Sequence, residues 1–372
     1  MISVIGASNC GLFTACRLAQ AGHQVRLYEK EPAFKPHSRR LIVTPYLFQL
    51  LPLPEDLILH RVDSFEFFAN GISSRIKLKS PDLIIERKDL MNWFMAGAQE
   101  SGVEVKQGWS FSGFNQDRNG GTVCIKNMLT EKNEEISPSV LIGADGPESS
   151  VAWALQRQTP TVSLVQAKIS LPKKHPPNLV QIWFKRDITP YFFWLFPDSP
   201  ETGVVGVIMK DGDKARQALD EFINQMGWEA NEYESGCCSL YVPELKPEVK
   251  RGKLRVLLVG DATGQVKVTT VGGTVTGLRG AEACIRAIIK GRSYWSELSP
   301  LRRELKIHLL IRNFLNRLHD DEDYSDVVSY GESMGSFLGS FSRDEMSPHF
   351  FPLFLRPHRI FYKALKTMIR GN

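Results

Sequence analysis

Apolar and polar residues follow two rhythms along this chain, and they place an α/β unit at its start. Residues 2–5 (Ile-Ser-Val-Ile) form a short apolar run that enters a small-residue turn, and Leu12, Cys16, Leu18 and Ala19 then recur at helical spacing. Ala21-Gly22 stops that helix, and HQVRLYEK supplies a second strand. A helix is predicted over 88–100, followed by short alternating segments at 103–107, 109–115 and 121–127 that read as a small meander. SVLIGADG (139–146) and LRVLLVGDATG (254–264) are continuous apolar runs ending in turns, the pattern of strands buried on both faces. Between them, 162–170, 179–186, 191–197 and 203–209 are strand-like and rich in aromatic residues, which predicts a second sheet. A helix is expected over 274–290, and the chain from about 294 onward reads as helical.

Composition narrows the picture only a little. Of the 372 residues, 42% are apolar and 23% charged, as in an ordinary globular protein with a sizeable core. A net charge of +5 is mildly basic, and no helix-turn-helix, zinc-finger or RNP-like pattern accompanies it, so no nucleic-acid partner is expected. Six cysteines (Cys10, Cys16, Cys124, Cys237, Cys238 and Cys284) are scattered without a CxxC pair, so no metal site is expected. With no secretory leader pattern and no apolar run of 18 residues, a reduced, cytoplasmic location is predicted. The acidic cluster 320–323 lacks the glycine and spacing of a calcium loop and reads as a solvated helix end.

The candidate chemistry begins at VIGASNCG (4–11), a dinucleotide-loop pattern GxGxxG in which Gly6 and Gly11 fit and Ser8 replaces the middle glycine. The first glycine permits a tight turn, the second a close approach to a pyrophosphate, and the third close helix-on-strand packing. The helix start behind them offers unpaired N–H groups to an anion. Serine is small and its hydroxyl can donate, so Ser8 weakens the second role without removing it. Glu29 ends the second strand, where a carboxylate can accept from both hydroxyls of a ribose. Farther on, Gly260-Asp261 follows a buried strand, and an unpaired carboxylate there calls for a ligand hydroxyl as partner. Gly272 and Gly273 precede the helix 274–290 and make a second anion-facing helix start. Two such ends suit a long dinucleotide lying across both.

These motifs resemble the p-hydroxybenzoate hydroxylase-type FAD proteins. Three segments carry the likeness over roughly 1–290: the first loop with Glu29, IGADGPESSV (142–151) and VGDATG (259–264). The resemblance implies FAD as cofactor, Asp145 and Gly146 near its pyrophosphate, Asp261 on the ribityl chain, and Arg87 of IERKDL close to the cofactor, with Arg39 or Arg40 doing likewise. Arg40 is taken as the site residue. Within that group the chain is most similar to the geranylgeranyl reductase family, through GDATGQVKVTTVGGTVTG and through an aromatic pattern (Y/F)xWxFP followed by glycine. Here FFWLFP supplies Phe192, Trp194, Phe196 and Pro197, with Gly206 beyond. Ser8, Val268, Ile208 in place of a second glycine, and no cysteine around 35–45 are departures.

The resemblance implies a Rossmann-like FAD-binding domain (1–60, 84–160 and 252–292) interrupted by a mostly antiparallel β substrate domain (61–83 and 161–251), with a helical C-terminal segment (293–372). The expected function is reduction of C=C bonds in a polyprenyl, geranylgeranyl-type chain or lipid by hydride from reduced flavin. Phe192, Trp194 and Phe196 would line a hydrocarbon slot, and no residue type marks the proton donor. The only nucleotide-binding unit is taken by FAD, so electrons would come from transiently docked NAD(P)H or a ferredoxin-like protein. An FAD monooxygenase of a hydrophobic substrate and a non-enzymatic lipid- or partner-binding flavoprotein are the alternatives. The WxWxIP pattern of flavin halogenases is absent. Residues 346–372 carry five Lys/Arg, five Phe/Tyr and no acid, and 356–370 form a basic amphipathic pattern. Two readings of it stay open: peripheral contact with a membrane surface or contact with a partner groove, and docking on the body of the protein with the basic face in water.

Overall fold

The structure is a computed structural model that describes residues 1–115, 121–318 and 321–350. In chain order, β1 (Ile2–Ile5), α1 (Asn9–Gln20) and β2 (Val25–Glu29) open the fold, followed by β3 (Arg40–Val43), the short α2 (Leu47–Leu50), and the long hairpin β4 (Ile58–Ala69) and β5 (Ile72–Glu86). Then come α3 (Arg87–Glu100), β6 (Glu104–Gln107), the meander β7 (Trp109–Phe114), β8 (Val123–Asn127) and β9 (Asn133–Ile136), and β10 (Val140–Gly143) with the short α4 (Ser150–Ala154). The middle of the chain forms β11 (Thr161–Ser170), β12 (Leu179–Trp183), β13 (Phe193–Pro197), β14 (Thr202–Met209), α5 (Gly212–Met226) and β15 (Ala230–Ser239). The last elements are β16 (Glu248–Arg251), β17 (Leu254–Leu258), α6 (Thr274–Ile289), α7 (Tyr294–Glu297), α8 (Ser299–Asn316) and α9 (Asp321–Leu338).

Two sheets organise these elements, with the β7–β8–β9 meander as a small third. The first has the order β16-β17-β10-β1-β2-β6, and every pair in it is parallel except β16–β17. All four residues of β1 are buried, as its central position requires, because helices cover one face and the meander the other. On the helical side α1 packs against α3 and α6 through Leu12, Phe13, Ala15 and Leu18. The second sheet runs β15-β11-β14-β13-β12-β4-β5-β3, and only its β12–β4 pair is parallel. One face of it is closed by α5, whose Leu219, Phe222 and Ile223 meet Phe193 and Leu195. The opposite face packs Trp194 and Phe196 with Val266 and Val271 of the segment leading into α6.

The fold is therefore the expected α/β arrangement with a mostly antiparallel second sheet. Ile58 pairs with Ile85 and Arg40 with Glu86, so 40–43 and the whole of 58–86 belong to the second sheet. Helix α5 and the hairpin were not among the expected elements. Helices α7, α8 and α9 fulfil the helical expectation as far as Leu338, and 356–370 lie outside the described residues. Asp321 opens α9, as the acidic cluster suggested, while Asp320 lies outside the described residues. Among the described residues no helix is long and apolar enough to cross a membrane.

Candidate functional site

The loop from β1 to α1 is built by contacts that only glycine permits. A Cβ on Gly11 would stand 2.0 Å from the Gly6 carbonyl oxygen, and one on Gly6 (φ +99°) would stand 2.6 Å from that of Ala144. The loop is thus pressed onto the turn after β10. Ser8 turns out to be the N-cap of α1: its hydroxyl accepts from the Gly11 N–H (3.3 Å) and donates to the Ala144 carbonyl (2.9 Å). Asn9 follows at the helix mouth, and its Oδ1 is buried without a partner. Glu29 stands beside this turn, where its carboxylate accepts from the N–H groups of Ala7 (2.7 Å) and Glu31 (3.1 Å). Each of its oxygens keeps a second lone pair for a ligand hydroxyl.

The end of β17 brings Asp261 to the same mouth. Its carboxylate makes no hydrogen bond among the described residues, and burial pushes its pKa up to about 6 against the pull of nearby Arg39 and Arg87. Arg87, half-buried, is pushed down to about 10, first by burial and then by Arg39. Two guanidinium groups therefore face one carboxylate, which leaves positive charge for an anion, and Arg39 Nε is buried without a partner. Gly273 stands against Asp261: a Cβ there would lie 2.9 Å from Oδ1. The preceding Val271 is held at φ +52°, a costly conformation for a β-branched residue.

Other expected residues lie close by but are engaged differently. The Asp145 carboxylate closes its own turn, accepting from the Ser149 hydroxyl (2.5 Å) and from the N–H (2.8 Å) and hydroxyl (2.9 Å) of Ser150. Its backbone, continuing into Gly146 (φ +85°), is what meets Gly6. Arg40, expected near the cofactor, has its guanidinium paired with the buried Glu86 and, at 3.0 Å, with Asp198. Arg39, its neighbour, stands by Asp261. Gly260 (φ +68°) gives room to Cys10, whose Sγ would be 2.8 Å from a Cβ. Gly272 receives the Lys267 N–H on its carbonyl (3.2 Å).

The aromatic segment splits by its period of two. Trp194 and Phe196 face the α6 approach, whereas Phe193 and Leu195 face α5. Trp194 pairs with Gly206 across β13–β14 and lays its indole over it: a Cβ on Gly206 would stand 2.2 Å from the ring. Pro197 pairs with Gly203 and ends the strand. From Trp194 a file of rings continues through Phe192 (6.2 Å between centroids) and Phe184 (6.3 Å) to Phe67 (6.3 Å). Phe184 and Phe67 escaped the sequence analysis, although the alternation in FEFF (65–68) was a visible signal for the latter. Cys238 on β15 also joins this face, and burial pushes its thiol up to about 12, so it stays protonated.

Orphaned polar atoms on Asn9 and Arg39, an unbonded carboxylate on Asp261, and glycine surfaces that a Cβ would fill make the cradle fit a dinucleotide with an anionic diphosphate. Comparison with known proteins agrees. Residues 1–181 match the FAD binding domain family. The chain is similar to digeranylgeranylglycerophospholipid reductase 3 of Methanosphaera stadtmanae, 24% identical over 88% of this chain and 89% of that protein. It is similar also to digeranylgeranylglycerophospholipid reductase of Methanocaldococcus jannaschii, 26% identical over 90% and 91%. Among solved structures, a geranylgeranyl bacteriochlorophyll reductase-like protein from Thermoplasma acidophilum shares the fold with a TM-score of 0.77, at 15% identity and over 93% of this chain and 94% of that one. The p-nitrophenol 4-monooxygenase of Pseudomonas putida shares it with a TM-score of 0.68, at 16% identity and over 95% and 97%. The chain is an FAD-dependent oxidoreductase, and its residues 1–181 are what matches the FAD binding domain family.

Proposed function

We propose that this protein is a reductase that uses FAD to saturate C=C bonds in the geranylgeranyl-type chains of a polyprenyl lipid. The observation that carries this reading is its likeness to proteins named digeranylgeranylglycerophospholipid reductase over 88% and 90% of its length. The aromatic face supports it, because Trp194, Phe196 and Phe192 offer a hydrocarbon an apolar wall next to Val266 and Val271, with Gly206 and Pro197 shaping it. Held by Glu29, Asp261 and the starts of α1 and α6, reduced FAD would be the source of a hydride for one alkene carbon, and a proton would have to reach the other. An isolated alkene accepts hydride poorly, so proton delivery accompanies or precedes the transfer.

The chain's own residues bind, orient and exclude water. Glu29 and Asp261 accept from cofactor hydroxyls, and the starts of α1 and α6, the latter at Gly272-Gly273, face its anionic parts. Arg87 and Arg39 add charge beside Asp261, and the turn at Asp145-Gly146 backs the Gly6 loop. Electrons come from NAD(P)H docking transiently or from a ferredoxin-like protein, and peripheral contact with a membrane brings the lipid to the slot.

Incubating chemically reduced protein with a geranylgeranyl ether lipid without oxygen, followed by mass spectrometry, tests the reading. A gain of two hydrogens per double bond is expected. Unchanged lipid refutes it, and oxygen-dependent hydroxylation of the lipid would instead mark a monooxygenase.

A further inference from the structure

A group of buried charges lies behind the turn that opens α6, and nothing in the reading above uses it. Lys267 and Asp344 pair at 2.7 Å, with side chains only 7% and 0% exposed. The same Asp344 oxygen accepts from the Thr44 hydroxyl at the end of β3 (2.6 Å), and the Asp344 carbonyl accepts from Arg279 of α6 (2.5 Å). Two residues on from Lys267, the Thr269 hydroxyl meets His308 Nδ1 at 2.6 Å. His308 Nε2 reaches the Arg343 carbonyl at 3.0 Å. A carbonyl can only accept, so Nε2 carries the proton and Nδ1 accepts from Thr269. Glu304 completes the clasp by accepting from the N–H groups of Met346 (2.6 Å) and Ser347 (2.9 Å). Arg343, in the same strap, pairs with Asp82 at 2.5 Å, and both charges act on Lys267 through space.

What these contacts hold is strained. Lys267 and Gly272 form a lone antiparallel bridge, and the Lys267 stem runs under Gly272, with its Cε 3.3 Å from where a Cβ would be. Val271 sits within that bridge at φ +52°. Such a conformation persists only where its surroundings over-determine it. Both anchors of the turn, Lys267 and Thr269, lead to the same strap of chain, through Asp344 directly and to Arg343 through His308.

We propose that residues 343–347 are a working part of the FAD site, with Asp344 and His308 as positioning residues that fix the 271–273 turn through Lys267 and Thr269. The proposal rests on the FAD assignment and extends it to the far end of the described chain. Removing the strap's hold lets the turn relax and moves the N–H groups of the α6 start away from the cofactor.

The test uses the full chain and free FAD, with the dissociation constant read by flavin fluorescence at a temperature where circular dichroism shows each variant folded. D344N and K267M are expected to weaken FAD binding by at least about tenfold. K267M is also expected to lower the midpoint potential of the bound flavin, because it removes a cation beside the turn. D220N breaks the Arg216–Asp220 and Tyr233–Asp220 contacts on α5, across the second sheet from the turn; it is expected to lower the melting temperature and leave FAD affinity within about twofold of wild type. Should D344N not fold, T269V removes a single hydrogen bond and is expected to weaken FAD about three- to tenfold. FAD affinity within twofold of wild type in K267M and T269V, or an equal loss in D220N, overturns the proposal. A wild-type chain that takes up no FAD refutes the cofactor assignment itself.

Discussion

Replacing Asp261 by asparagine is expected to move stability and cofactor binding in opposite directions. Burial at the end of β17 lifts the carboxyl pKa from 3.8 to about 6, and Arg39 and Arg87 offset only part of that rise. Each pKa unit corresponds to about 1.4 kcal/mol, so ionised Asp261 costs the folded apoprotein up to about 3 kcal/mol at pH 7. The cost is smaller to the extent that water reaches a group only partly shielded, and about 1–3 kcal/mol is the expected range. Folding raises this acid's affinity for its proton. The cost is therefore absent below pH 3.8, grows through the interval up to about 6, and is constant above it. Asparagine keeps the shape and removes the charge, so apo D261N should melt several degrees above wild type at pH 7–8 and with it at pH 3.5. With FAD, the variant loses a charge-assisted hydrogen bond of about 1.5–3 kcal/mol, which is roughly ten- to a hundredfold in affinity. Thermal melts of apoprotein from pH 3.5 to 8, paired with flavin fluorescence titrations, read both effects. A melting difference that does not change with pH, or an unchanged FAD affinity, refutes the placement of Asp261 as a buried carboxylate awaiting a hydroxyl.

Three further outcomes are expected. Gly206→Ala puts a methyl 2.2 Å from the Trp194 ring, so the indole must leave its seat; lipid turnover should fall while bound flavin absorbance is kept, at a cost of about 1–3 kcal/mol in urea unfolding. Arg40→Ala strands Glu86 and Asp198, whose side chains are only 5% and 3% exposed, and should cost about 3–5 kcal/mol by the same assay. Burial, with Lys267 adding to it, pushes His308 down from 6.5 to about 3, so the unfolded chain gains a proton there first. Stability should fall as the pH drops from 6.5 towards 3, and H308N should flatten that part of the apoprotein's acid profile.

Steric requirements were the most legible part of the sequence. Gly6, Gly11 and Gly260 had to be glycine for reasons of local shape, so the motif exposed the cradle before any tertiary contact was known. The buried strands β1, β10 and β17 were legible because both of their faces are covered, which leaves an apolar run. The β4–β5 hairpin was legible but passed over: RIKLK (75–79) alternates with the period of a strand, and Asn70-Gly71, both at positive φ, make its tight turn. Glu86 and Asp198 converge on Arg40 from 46 and 158 residues away while Arg39 stands by Asp261, a difference invisible in the local sequence. Ser8 looked like a weakened glycine, but its hydroxyl caps α1 by accepting from the Gly11 N–H, a side-chain hydrogen bond glycine cannot make. The Lys267–Asp344 pair spans 77 residues, and no local pattern could announce it.

The division of β13 has a practical bearing on engineering. Positions 193 and 195 are committed to α5, whereas 194 and 196 look onto the apolar face that runs towards Val266 and Val271. Libraries aimed at accepting shorter or longer hydrocarbons can vary every second codon of this strand and leave the helix behind it undisturbed.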